Sequence, residues 1–185
     1  MLELSMKVIA GTLKGRTLKG TKQIRPVTSF IKEAIFNILQ HVKWEDACVL
    51  DIFAGAGNFG IEAISRGAAK VVFVDVSLEN KLAILENLNC VEWHGRVIKG
   101  DAREVIKKLF KKGEKFNIIF ADPPFDHNLG NELMVLFEKF DILENDGVLV
   151  LRLRNKEVVN FSRIWVVDKK LYGDSAVYFI KKDTM

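Results

Sequence analysis

Short apolar runs alternate with amphipathic stretches along most of this chain, from residue 48 onward. Strands are predicted at 48–53, 70–75, 96–99, 116–121 and 147–153, with helices between them at about 58–66, 78–88, 102–111 and 129–140. Because strand and helix alternate strictly, we predict a doubly wound α/β fold, with a parallel sheet and helices on both of its faces. Two more strands, at 163–167 and 176–180, are expected to close the sheet.

The residues before this alternation predict a small extension. Two β-prone pieces between residues 7 and 18, separated by glycine and lysine, indicate a β-hairpin with a basic tip. A helix should follow, capped by Thr28 or Ser29 and ending near His41, because its apolar residues recur with a period of about 3.6. We therefore divide the chain into a basic hairpin-and-helix extension at 1–43, packed on the rest, and a main domain at 44–185.

The composition excludes several classes of protein. The chain has 185 residues, of which 49% are hydrophobic, and this suits one globular domain with a real core. No apolar run approaches the roughly 18 residues of a membrane span. The first residues lack the features of a secretion signal, so we expect a cytoplasmic protein with no membrane partner. We also expect it to be a monomer. Cys48, Cys90 and the three histidines are not spaced as metal ligands, so we predict no metal site and no disulfide framework.

Positive charge is concentrated at one end of the chain. Residues 1–43 hold 8 basic and 2 acidic side chains, a net charge of +6, whereas the other 142 residues hold 20 basic and 22 acidic ones, a net charge of −2. A basic arm on a nearly neutral body is typical of proteins that bind polyanions, since neutralising phosphates provides affinity without sequence preference. Charge alone is equally consistent with a solvated basic surface.

A glycine-rich motif predicts a nucleotide-type ligand. The pattern GxGxxG runs from Gly55 to Gly60, after the first predicted strand of the sheet and before a helix. Glycines permit the tight turn and the close approach of backbone to ligand, and the helix start presents free N–H groups. Asp75 ends the next strand, where a carboxylate accepts hydrogen bonds from ribose hydroxyls. Both features serve NAD and S-adenosylmethionine equally well.

Two more carboxylates are predicted at the same edge of the sheet. Asp51 favours a ligand with an amino acid part, because it can hold an ammonium group and offset a nearby sulfonium. Its alternative role is to accept backbone N–H groups in the turn. Asp101 can accept a hydrogen bond from an adenine amine or cap the helix that follows it, and the two roles are compatible.

The sequence Asp122-Pro123-Pro124-Phe125 predicts the chemistry. It follows an apolar strand and so should lie at the carboxyl edge of the sheet, beside the glycine loop. The Asp122 carboxylate and the Pro123 carbonyl can accept both N–H bonds of an exocyclic nucleobase amine and thereby aim its lone pair at a methyl donor. Phe125 can stack on the base. No metal is required for this reaction.

With these motifs in this order, the chain resembles the class I S-adenosylmethionine-dependent methyltransferases that modify exocyclic amines. More specifically, it resembles the bacterial RsmD-type family, which methylates guanine N2 in small-subunit (16S) ribosomal RNA. The resemblance covers almost the whole chain and is carried by Gly15-Arg16, Arg25-Pro26-Val27-Thr28, Glu33 to Asn37, Phe53 to Gly57, Glu62 to Ala68, Asp122 to Phe125 and Tyr172 to Ala176. The chain departs from the family pattern at Ser29, Phe30, Lys32 and Arg152, the last of which stands where an acidic residue is usual.

The resemblance implies a Rossmann-like fold with seven strands, the last of them antiparallel, and a target base flipped into the pocket. It implies that the guanine is held by the catalytic residues Asp122, Pro123, Pro124 and Phe125. The implied cofactor contacts are Phe53, Ala54, Gly55, Ala56 and Gly57 at the methionine part, Asp75 and Val76 at the ribose, Asp101 and Ala102 at the adenine, with Asp51, Asp122, Arg25 and Thr28 nearby. Ribosomal RNA or the small subunit would be bound by Lys14, Arg16, Lys19 and Lys22.

Three other functions share some of these features. An amine methyltransferase acting on adenine N6, or on another RNA or DNA, would have the same Asp-Pro-Pro-Phe element. An NAD-linked oxidoreductase would use the glycine loop and Asp75, but the sequence offers no second domain with a catalytic His or Lys pair. A catalytically silent RNA-binding module would need only the basic arm, and Asp122→Ala would leave it unchanged.

Overall fold

The computed structural model of the chain describes residues 5–21, 28–125, 129–163 and 165–183. Its strands are β1 (Ser5–Lys7), β2 (Thr17–Lys19), β3 (Cys48–Ile52), β4 (Lys70–Asp75), β5 (Arg96–Lys99), β6 (Phe116–Ala121), β7 (Leu143–Arg154), β8 (Trp165–Tyr172) and β9 (Ser175–Lys182). Its helices are α1 (Ser29–Ile38), α2 (Asn58–Ser65), α3 (Leu78–Cys90), α4 (Ala102–Lys111) and α5 (Leu129–Lys139). Two short 3-10 turns, Leu39–His41 and Trp44–Asp46, connect α1 to β3.

Seven strands form one sheet in the order β5-β4-β3-β6-β7-β9-β8. Strands β3 to β7 are parallel to one another, whereas β9 is antiparallel to both β7 and β8. The predicted α/β fold, with a seven-stranded, mostly parallel sheet and an antiparallel last strand, is therefore confirmed.

Two hydrophobic clusters cover the two faces of the sheet. One contains α1, α2 and α3 residues, and the other contains α4 and α5 residues. Neighbouring residues of one strand belong to opposite clusters, as Val49 and Leu50 do. Burial on both faces explains why these strands appear in the sequence as continuous apolar runs.

The predicted N-terminal hairpin is also confirmed. Strands β1 and β2 pair antiparallel, with Met6 opposite Leu18. Both side chains are buried in the same cluster as Phe36 and Val49, so the extension and the main domain share one core.

A buried ion pair fastens the hairpin to the main domain. Glu62 of α2 is fully buried and accepts hydrogen bonds from the backbone N–H groups of Ile9 (2.8 Å) and Ala10 (3.0 Å). It also pairs with the buried Lys32 of α1 at 3.1 Å. Lys32 donates in turn to the Lys7 carbonyl at 2.7 Å. Lys32, one of the departures from the family pattern, is therefore part of the interior.

Several strand predictions were wrong in their bounds, since β3 ends at Ile52 rather than at 53 and β9 runs over Ser175–Lys182 rather than 176–180. Strand β7 begins at Leu143 rather than at 147, and β8 runs over Trp165–Tyr172 rather than 163–167. Strand β8 is at the edge of the sheet, paired only with β9, and its residues Asp168, Lys169 and Lys170 are exposed. Edge strands often carry charged residues, so the apolar pattern underestimates their length.

Candidate active site

A cavity of about 1000 Å³ opens where β3, β4, β6 and β7 end. Its wall combines the glycine loop, the end of β4, the Asp-Pro-Pro-Phe element and Arg152 of β7. The N-terminal extension completes the wall with Met6, Gly20, Thr21, Thr28 and Ile31. Ligands of open α/β sheets bind at this edge of the sheet.

The glycine loop is held in an uncommon backbone conformation. Phe53 has a φ of 60°, a value that few residues other than glycine adopt, and Gly57 caps α2 with a φ of 86°. Phe53, Ala54, Gly55 and Ala56 line the cavity, whereas Gly57 is not among the lining residues.

Asp75 holds the glycine loop in place and also faces the cavity. One of its carboxylate oxygens accepts the Gly55 N–H at 2.9 Å, and the other accepts the Ser77 N–H at 2.9 Å and the Asn80 side-chain amide at 3.0 Å. Asp75 and its neighbour Val76 both line the cavity. These contacts fix the carboxylate where a ligand hydroxyl can reach it.

Asn80 is a site residue that the sequence analysis missed. It lines the cavity, and its Oδ1 atom is buried without a hydrogen-bond partner among the described residues. A buried acceptor of this kind is costly unless a ligand or water satisfies it. The available signal was an asparagine in the first turn of α3, five residues after Asp75, where asparagine is a poor helix former.

Asp51 lies beneath the glycine loop rather than on the cavity wall. It is 1% exposed, and its Oδ2 atom accepts the Gly60 N–H at 2.9 Å. The structure thus gives it the alternative role, acceptance of a backbone N–H group. Burial raises the pKa of Asp51 well above its usual range, the Gly60 N–H opposes this, and the charges of Asp122 and Asp75 raise it further.

Asp101 and Ala102 also lie away from the cavity wall. Asp101 is the N-cap of α4, where its side chain accepts the Arg103 N–H at 2.8 Å. It also forms an ion pair with the Arg103 guanidinium at 3.3 Å. Asp101 therefore does not line this cavity, and the capping role is the one that the structure shows. Its contact with adenine stays a prediction.

Asp122 is held by an arginine on the adjacent strand. Arg152 donates from Nε and Nη2 to the two carboxylate oxygens at 2.7 and 3.0 Å, and from Nη1 to the Ser175 hydroxyl at 3.1 Å. The guanidinium carbon lies 4.7 Å from the centre of the Phe125 ring. Burial raises the pKa of Asp122, and Arg152 opposes this shift. In this structure Asp122 therefore accepts from Arg152 the kind of hydrogen bonds that the sequence analysis assigns to a nucleobase.

The remaining predicted site residues lie in different parts of the structure. Thr28 caps α1 by accepting the Ile31 N–H at 3.3 Å, and it lines the cavity, as do Pro123 and Pro124. Lys14 and Arg16 are exposed on the hairpin, and Lys19 pairs with Glu86 at 3.0 Å. Lys22 and Arg25 lie outside the described residues. Over those residues, no helix is long and apolar enough to cross a membrane, and no cluster of three His, Cys, Asp or Glu could hold a metal.

Comparison with known proteins gives relatives over most of the chain. The chain is 34% identical over 184 residues to the Bacillus subtilis protein named "Putative rRNA methyltransferase YlbH", a match that covers 96% of this chain and 99% of that protein. It is 33% identical over 147 residues to "Ribosomal RNA small subunit methyltransferase D" of Escherichia coli, covering 78% and 69% of the two chains. The solved structure "Putative methyltransferase yhhF from Escherichia coli" has a TM-score of 0.87 at 28% identity and covers 98% and 99% of the two chains.

A family model agrees with these pairwise matches. The family described as "Conserved hypothetical protein 95" matches residues 6–181, from the first hairpin strand to the last strand of the sheet. Together with the fold and the arrangement of the cavity, this match shows that the chain belongs to that family, the RsmD family of methyltransferases.

Proposed function

We propose that this protein transfers a methyl group from S-adenosylmethionine to the exocyclic N2 amine of a guanine in small-subunit ribosomal RNA. The observation that carries the proposal is that the acceptors of the Asp-Pro-Pro-Phe element line the same cavity as the glycine loop and Asp75. A relative in the family is named for small-subunit ribosomal RNA methylation.

The residues of the cavity fit S-adenosylmethionine. A volume of about 1000 Å³ is at the upper end of small-molecule sites and leaves room for a nucleoside cofactor beside a base. Asp75 and the unpaired Asn80 Oδ1 would hold ribose hydroxyls, and Phe53 to Ala56 would surround the methionine part, with Thr28 nearby. Asp51, Asp75 and Asp122 would together favour the positive charge of a sulfonium. When bound, the cofactor supplies an electrophilic methyl group on that sulfur.

The chain's contribution to the reaction is mainly orientation. Asp122 and the Pro123 carbonyl accept N–H bonds of the guanine, with Phe125 against its face, so that the N2 lone pair is aimed at the methyl carbon. The N–C bond forms as the C–S bond breaks, and the electron pair of the broken bond stays on sulfur. The methylated amine then releases one proton to water by way of Asp122. The products are N2-methylguanine, S-adenosylhomocysteine and a proton.

We assign RNA contacts to the extension at 1–43. Lys14 and Arg16 are exposed on its hairpin, and Lys19 and Lys22 continue the basic series. Such side chains neutralise phosphates and so provide affinity with little sequence preference. A substrate of this kind would locate the protein in the bacterial cytoplasm, where ribosomes are assembled.

The test is methyl transfer from labelled S-adenosylmethionine to small ribosomal subunits and to free ribosomal RNA, with nucleoside mass spectrometry of the product. We expect N2-methylguanosine from the wild type and from Asp168→Ala, an exposed control on β8, and none from Asp122→Ala. Calorimetry should show cofactor binding by all three proteins. Methyladenosine as the product would overturn the proposed substrate, and absence of cofactor binding by the wild type would overturn the activity.

A further inference from the structure

Arg152 makes the same two contacts that the proposed function assigns to the substrate base. Its Nε and Nη2 atoms donate to both oxygens of Asp122, at 2.7 and 3.0 Å. Its guanidinium group lies over the Phe125 ring, with the central carbon 4.7 Å from the ring centre. The two paired side chains are only 13% and 15% exposed, so the interaction is largely shielded from water.

The hydrogen-bonding edge of guanine matches that of a guanidinium group. Guanine presents N1–H and N2–H side by side, two parallel donors that fit one carboxylate as arginine does. Adenine and cytosine present a single amine beside a ring nitrogen that only accepts. If either of these bases replaced Arg152, one Asp122 oxygen would face a lone pair instead of a donor. An unpaired polar group in a buried site is the basis of strong discrimination between substrates.

We propose that Arg152 is a specificity-determining residue, an internal competitor for Asp122 and Phe125 that only a base with the paired donors of guanine displaces efficiently. This inference rests on the proposed function and extends it to the choice of base. The displaced guanidinium stays in a cavity that the RNA backbone must approach, where a phosphate can accept the same pair of hydrogen bonds.

The test compares Arg152→Gln with Arg96→Gln. Arg96 is a matched control, because it also donates to a carboxylate, that of Glu114 at 2.7 and 2.8 Å, but lies outside the cavity wall. The substrates are the RNA that carries the guanine methylated by the wild type and the same RNA with adenine at that position. The measured quantity is the ratio of kcat/KM for the two RNAs.

We expect the guanine-to-adenine ratio to fall by about tenfold or more in Arg152→Gln, with the adenine RNA gaining activity, and to stay at the wild-type value in Arg96→Gln. Arg152→Lys, which keeps the charge but loses the planar pair of donors, should give an intermediate ratio and provides a second variant if the first folds poorly. An unchanged ratio would overturn the proposal. So would a loss of guanine transfer without any gain for adenine, because Arg152 would then only hold Asp122 in position.

A binding experiment separates this inference from the proposed function. Fluorescence anisotropy with S-adenosylhomocysteine present would measure the affinity for a seven-nucleotide RNA. Its central nucleotide is guanine or adenine, and the three nucleotides on each side are uridine. Arg152→Gln should bind the adenine strand about fivefold or more tightly than the wild type does, which is about 1 kcal/mol. Unchanged or weaker binding would overturn the competition, even if the wild type methylates no RNA. If the wild type binds the cofactor but methylates no RNA, this would count against the proposed function instead.

Discussion

Asp51, Asp75 and Asp122, the three carboxylates at the sheet edge, differ in the groups that donate hydrogen bonds to them. Asp75 accepts three hydrogen bonds, Asp122 faces Arg152, and Asp51 lies under the loop and accepts the Gly60 N–H. Burial raises the pKa of Asp51 and of Asp122, and only Asp122 has an arginine to oppose the shift. A site of this charge is favourable for a cationic ligand and unfavourable for the stability of the free protein.

Asp51→Asn should therefore stabilise the protein at neutral and higher pH. The raised folded-state pKa means that folding favours the protonated carboxyl, so the stability that Asp51 contributes is present below its ordinary pKa and is lost as the pH rises through the raised one. Asparagine keeps an acceptor for the Gly60 N–H without the charge. We expect a gain of about 1 kcal/mol, or roughly 2–4 °C in Tm, near pH 8.

Thermal melts over a range of pH would measure this gain, which should shrink towards about pH 4, where Asp51 itself is protonated. Asp168→Asn, on the exposed edge strand, is the control and should show no such trend. A variant less stable than the wild type at high pH would contradict the prediction.

Arg152→Gln should also move the acid limb of activity. Asp122 must be ionised to accept two donors, burial raises its pKa, and Arg152 opposes that shift. Removing the arginine leaves burial unopposed, so activity should be lost at a higher pH as the solution is acidified. The pH profile of kcat/KM measures this, since it reports on the free enzyme. If the acid limb of Arg152→Gln lies at the same pH as that of the wild type, the Arg152–Asp122 pair is broken in solution.

At the scale of elements, the hairpin loop depends on close backbone contact with α2. Gly11 has a φ of +82°, and a Cβ atom there would lie 1.8 Å from the Ser65 carbonyl oxygen. Gly15 has nearly the same φ, +83°, but no neighbour within 4 Å of such an atom. The two glycines therefore separate backbone strain from steric exclusion.

We expect Gly11→Ala to destabilise the protein more than Gly15→Ala does. Both variants force alanine into a left-handed conformation, at about 1 kcal/mol, but only the first must also push the hairpin away from α2, which should add about 1–3 kcal/mol. Urea denaturation of both variants would measure the difference. Equal losses would mean that the hairpin adjusts without cost.

The elements that could be predicted from sequence are those whose environment repeats along the chain. The bounds of β4 and β6 are predicted to the residue, because strands covered on both faces are largely apolar. The bounds of β8 are not, because an edge strand also carries charged residues. The positions of Asp75 and Asp122 follow from the ends of their strands, whereas the Arg152–Asp122 pair and the burial of Asp51 depend on side-chain geometry that spacing does not encode.

At the scale of the whole molecule, Glu62 joins the two parts of the chain. Glu62→Ala would leave the buried Lys32 without its carboxylate and the Ile9 and Ala10 amides without their acceptor. Burial already lowers the pKa of Lys32, and Glu62 opposes this. We expect the free energy of unfolding to fall by about 3–5 kcal/mol, with a smaller loss in the double variant Lys32→Met, Glu62→Gln. Urea denaturation measures both losses, and a loss below about 1 kcal/mol for Glu62→Ala would contradict this account.

RNA affinity should depend on salt through the same extension. Replacing Lys14 and Arg16 with glutamine should reduce the slope of log affinity against log salt by about 0.7–0.9 for each phosphate contact removed. Filter binding of ribosomal RNA at several salt concentrations measures the slope, with Lys107→Gln, a partly exposed lysine on α4, as the control. An unchanged slope in the double variant would show that the RNA follows another surface.

The position of β9 determines when the seven-stranded sheet becomes continuous during synthesis. It lies between β7 and β8 although it follows both in the chain, so β8 has no place in the sheet until residue 182 has been added. Ser175, the first residue of β9, also accepts a hydrogen bond from Arg152 in the cavity wall. The last gap in the sheet and the last part of this wall are therefore filled in one event. Until β9 has been made and has paired, a protein proposed to modify ribosomal RNA therefore lacks both a continuous sheet and a complete cavity wall.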